Sequence, residues 1–95
     1  MNNEIEKIDK ELSKAISDLM LLRNNSYPLD VNPNDFFNKV QTQVTKVINL
    51  YEPFFDKFEK LIKVEGIQRH FENAIKIDEL SRKYNRMLDL CEAVD

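Results

Sequence analysis

Eight apolar residues set the frame for this chain: Phe37, Val40, Val44, Val47, Tyr51, Phe54, Phe58 and Leu61 recur at alternating spacings of three and four. That period is one stripe of an α-helix. The stripe passes Pro53 without a change of phase, whereas a loop inserted there would shift the register. Pro53 falls on the opposite side of the helix, where the backbone bond it removes from residue 49 can be replaced by water. The sequence therefore predicts one long, kinked helix over about 34–64, in preference to two helices meeting at Glu52. Ile48, Phe55 and Ile62 widen the stripe by one position each.

A second stripe, Ile5, Ile8, Leu12, Ala15, Leu19 and Leu22, predicts a helix over about 3–24. Glu4 and Glu6 suit its positive N-terminal end and Arg23 its negative C-terminal end. Glu6 with Lys10, and Lys7 with Glu11, are spaced for surface ion pairs. Ile16, Met20 and Leu21 broaden the apolar side toward the C-terminus, which calls for more than one covering neighbour.

The segment 25–33 is dense in Asn, Asp and Pro and reads as a loop. Its Tyr27, Leu29 and Val31 nearly alternate, so the loop is expected to pack across one end of the helices. Asn32 or Asn34 can cap the next helix, with Pro33 tolerated in the first turn.

Gly66 is the single glycine, and the apolar pattern changes phase there. A left-handed Gly66 just past the helix end would place Ile62 and Ile67 at the two contacting positions of a Schellman cap. The third helix is expected over about 67–93, with Phe71, Ala74, Ile77, Leu80, Tyr84, Met87, Leu88 and Cys91 apolar. Its stripe drifts between Ile75 and Leu80, which implies wrapping or a kink near Asp78. The expected architecture is all-α: a single domain over 1–95, folded as an antiparallel three-helix bundle with a kinked second helix, or four helices if Pro53 breaks it.

Composition excludes several function classes. The net charge of −3, with acidic and basic side chains interleaved, argues against an unassisted grip on nucleic acid. The longest apolar run, Leu19 to Leu22, is far short of the ~20 residues that span a bilayer, and the first residues carry no signal-peptide core. A soluble, cytoplasmic chain with no membrane insertion is expected, and the single cysteine, Cys91, fits a reducing compartment.

Catalytic chemistry finds little to stand on. His70 is the only histidine, and no carboxylate lies in helical register to orient it. Cys91 falls on an apolar face with Glu92 and Asp95 nearby, the reverse of a thiolate-stabilising setting. One His, one Cys and no Glu-x-x-His spacing give no metal centre, one glycine gives no phosphate loop, and no cofactor is implied. The expectation is a non-enzyme.

Surplus apolar surface is the remaining signal. Leu21, Phe36, Leu50 and Leu90 lie off the assigned stripes, and clustered they would form a partner-binding patch. The chain is thus expected to be a non-catalytic interaction module. It would bind a protein partner or itself by helix packing, as a subunit of a helical assembly or a small inhibitor or immunity-type protein. The alternative is a small-ligand binder with a pocket between helices, using Tyr27, Tyr51, Tyr84, Arg82 and Arg86 as polar contacts.

Overall fold

The computed structural model describes residues 1–94, so Asp95 at the end of the expected domain lies outside the described residues. Three α-helices account for most of the chain: α1 over Asn2–Arg23, α2 over Pro33–Glu65 and α3 over Phe71–Val94. A 3₁₀ turn over Ile67–His70 precedes α3.

Each expected stripe residue of α1 is buried, and Leu12 and Ala15 are fully so. The expected pair of Glu11 with Lys7 is superseded. Glu11 instead reaches α2, accepting a hydrogen bond from Gln43 Nε2 at 2.6 Å and lying 3.5 Å from Lys46 Nζ. Those bonds hold its carboxyl below the ordinary value, the Gln43 bond being the largest cause.

α2 begins as the sequence predicts. Asn32 caps it, its Oδ1 accepting from the Asn34 N–H at 2.8 Å, and Pro33 occupies the first turn where its missing N–H costs nothing. The helix then runs unbroken through Pro53, which is exposed. At ~1.5 Å per residue its 33 residues account for the 50 Å long axis of the molecule.

The loop packs less than expected. Only Tyr27 turns inward, its ring edge-on to Phe36 at 6.1 Å, while Leu29 and Val31 are exposed. The same contact explains a one-residue shift at the start of α2: Phe36, not Phe37, is the buried position, because Tyr27 and the end of α1 close over it.

Gly66 has φ 86° and ψ 148°, a region essentially reserved for glycine. The expected Schellman closure is replaced by a single bond from the Gly66 N–H to the Ile62 carbonyl at 2.8 Å. Ile67 is exposed and does not complete the apolar half of that motif. The reversal sends α3 back along α2, so that α1 and α3 run parallel. Lys76 reaches Asn2 and Lys83 reaches Asp9, the same seven-residue step on both helices.

α1 lies against both other helices and supplies the centre of the core. α2 and α3 meet chiefly through the Tyr51–Tyr84 stack, 3.9 Å between ring centroids, with Tyr84 Oη donating to Glu52 Oε1 at 3.1 Å. Ile77, Leu80, Tyr84, Met87 and Leu90 are the buried residues of α3. The drift in its stripe has a simple outcome: Phe71, six residues and about 120° from Ile77 on a helix, is left in solvent. α3 neither breaks nor changes type near Asp78.

Candidate functional site

The four residues expected to form a partner patch do not come together. Phe36 and Leu90 are buried, at 3% and 6% exposure, and belong to the core. Leu90 lies seven residues beyond Lys83, whose ammonium reaches Asp9 of α1, so it faces α1 rather than a partner. Leu21 and Leu50 are half-buried and pack on the core from different helices. Leu50, seven residues after Gln43, sits on the side of α2 that turns toward α1.

Nor do the five expected ligand contacts converge. Tyr27 is at the loop end, its hydroxyl donating to Asn25 Oδ1 at 3.1 Å. Tyr51 and Tyr84 are stacked and buried between α2 and α3. Arg82 is exposed and lies 3.3 Å from Asp78, and Arg86 reaches toward Met20 Sδ at 4.0 Å. Burial pushes the Tyr84 hydroxyl up to about 12, with the Glu52 carboxylate adding to the shift. A phenol so held is a structural donor, not an acid at neutral pH.

His70 does find a carboxylate. Its Nε2 lies 3.4 Å from Glu65 Oε1 across the Gly66 reversal, and its ring is edge-on to Phe58 at 6.3 Å. The contact sets the end of the 3₁₀ turn beside the end of α2, without a hydrogen bond to Nε2. Sequence register missed it because the intervening glycine breaks the helical spacing.

What the fold brings together is a different apolar face. α2 carries a second stripe, Phe37, Val44, Ile48, Phe55 and Ile62, whose members are all half-buried. Gln43 and Lys46 mark the side of α2 that bonds α1, and the second stripe is turned well away from it. Near the start of α2 this face deepens into an open groove of about 690 Å³. Leu19 and Leu22 of α1 line it, with Phe37 and Val44 from α2 and Cys91 from α3. No charged residue lines that groove, in a chain one-third charged.

Toward the hairpin end the 3₁₀ turn and α3 carry a separate apolar patch. Ile67, Phe71 and Ile75 are 53%, 61% and 49% exposed, and with Ala74 they line a second hollow that ends at Asp78 and Arg82. Three large side chains at four-residue spacing, all in solvent, are the opposite of what a monomeric surface ordinarily shows. Phe71 was legible as apolar from sequence, but the drift of the α3 stripe concealed that it points outward.

Among the described residues no group of three or more His, Cys, Asp or Glu is placed to hold a metal ion, and no helix is long and apolar enough to cross a membrane. Comparison with family models, curated proteins and solved structures gives no match.

Proposed function

We propose that this chain is a non-catalytic interaction module whose exposed apolar row at the start of α3 receives a helix from a protein partner. The observation that carries this reading is the row Ile67, Phe71 and Ile75, which stands in solvent over the 3₁₀ turn and the start of α3. An amphipathic helix laid along that row would find a seat in which it supplies the missing apolar layer. A small inhibitor, or one subunit of a helical assembly, would use such a seat equally.

Residues Phe71 and Ile75 give the cleanest test, because their exposure lets them be changed without opening the core. In affinity capture from the native cell, Phe71→Ser and Ile75→Ser should each reduce the retained partner at least tenfold. Lys10→Ser, on the polar side of α1, should leave it unchanged. Equal retention by all three proteins would remove the α3 row from the account.

A further inference from the structure

We infer that the groove at the loop end of the bundle takes a single-chain amphiphile with an anionic head, such as a free fatty acid, and that Arg23 is the counter-charge. Two hollows that meet carry this, neither of them part of the α3 row. The groove of about 690 Å³ is lined by the buried side chains of Leu19, Leu22 and Val40, and by no charged one among the described residues. A hollow of about 330 Å³ adjoins it at the loop, and Leu22 and Phe37 line both.

The second hollow differs in chemistry. Among the described residues Arg23 is the one charged residue in its lining, beside the amides of Asn25 and Asn34. Asp30 and Asp35, carboxylates of the loop and of the first turn of α2, line neither hollow. No ion pair among the described residues engages Arg23. The carbonyls of Leu21 and Leu22 at that end of α1 already accept from the N–H groups of Ser26 and Asn25. An uncharged apolar trough thus leads to a cation set among polar side chains.

That order fixes the ligand's chemistry. A carboxylate sunk in the uncharged groove would lose its hydration with nothing to replace it. The head therefore belongs at Arg23, whose guanidinium can bind a carboxylate through two N–H groups. A cationic head finds no carboxylate in either lining. Asn34 and Thr45 mark the two ends of the trough along α2, and between them the helix rises about 16 Å at ~1.5 Å per residue, room for an extended chain of medium length. Both volumes lie in the range of small-molecule sites, about 300–1,000 Å³.

The test titrates the protein with decanoate, decylamine and butyrate below micelle-forming concentrations, with calorimetry for affinity and amide NMR for position. Decanoate should bind at least tenfold more tightly than decylamine, which lacks the anionic head, and at least tenfold more tightly than butyrate, which lacks the tail. Its amide shifts should centre on Leu22, Phe37 and Val44. Arg23→Glu, a change at an exposed position, should weaken decanoate at least tenfold. Lys10→Glu, the same change in net charge on the polar side of α1, should weaken it less than threefold. Equal binding of decanoate and decylamine, or equal losses in the two variants, would overturn the inference, as would shifts centred on Phe71 and Ile75. Binding to vesicles of phosphatidylcholine and phosphatidylglycerol without binding to decanoate would overturn it in favour of a membrane surface.

Discussion

Tyr84 stacks on Tyr51 with 3.9 Å between ring centroids and donates its hydroxyl to Glu52 at 3.1 Å, so one side chain ties α3 to two neighbouring positions of α2. The bond requires a protonated phenol. With the folded pKa raised to about 12 from 10.0, stability is fully present below pH ~10 and is lost as pH rises toward 12. Chemical denaturation between pH 8 and 11.5 should show this loss in the native chain. Tyr84→Phe should be less stable by roughly 1 kcal/mol at pH 8, with a flatter alkaline limb.

Glu11 works in the other direction. Its carboxyl is held below its ordinary value of 4.5 by Gln43 first and Lys46 among the further causes, so its contribution is present above that value and lost as pH falls through the folded pKa. Glu11→Gln should shift little at pH 3 and be destabilised at pH 7, as read from urea midpoints at the two pH values.

Pro53 is exposed in the middle of a continuous helix, and its ring removes a backbone bond there. Pro53→Ala should raise stability by about 1–3 kcal/mol, the usual penalty of an interior proline. A lowered melting temperature would show that the proline is needed for the path α2 takes along α3.

Phe36 and Leu21 stand at the same end of the bundle and separate core from surface. Phe36, 3% exposed beneath Tyr27, should cost about 3–5 kcal/mol when cut to Ala. Leu21 is half-buried, and Leu21→Ala should cost no more than about 1–2 kcal/mol. Thermal melts of the two variants compare them directly.

These contrasts also show how far the sequence was readable. The α1 stripe and the passage through Pro53 follow from spacing alone, since burial of an apolar row is what spacing encodes. The start of α2 does not, because Phe36 and Phe37 are adjacent and only the fold of Tyr27 decides which is covered. At the start of α3 the apolar residues Phe71, Ala74 and Ile77 are spaced by three, so their row winds around the helix and Phe71 ends about 120° from Ile77. Phe71 therefore reads as core in the sequence and stands in solvent in the structure. The second row of α2 was legible, with Ile48, Phe55 and Ile62 visible as a widening of the stripe. That Ile67, Phe71 and Ile75 stand in solvent is a property of how α3 lies, which no local pattern records.

The central claim is that the exposed apolar row at the start of α3, and no other surface, receives a helix. Photo-crosslinking measures this most directly, with benzoylphenylalanine placed singly at Ile75, Phe71 and Lys10 and the protein illuminated in its native cell. The account predicts an adduct of one defined mass from Ile75 and Phe71, mapping to one helical segment of the partner, and none from Lys10. An adduct from Lys10 alone, or no adduct from either seat position, would contradict it.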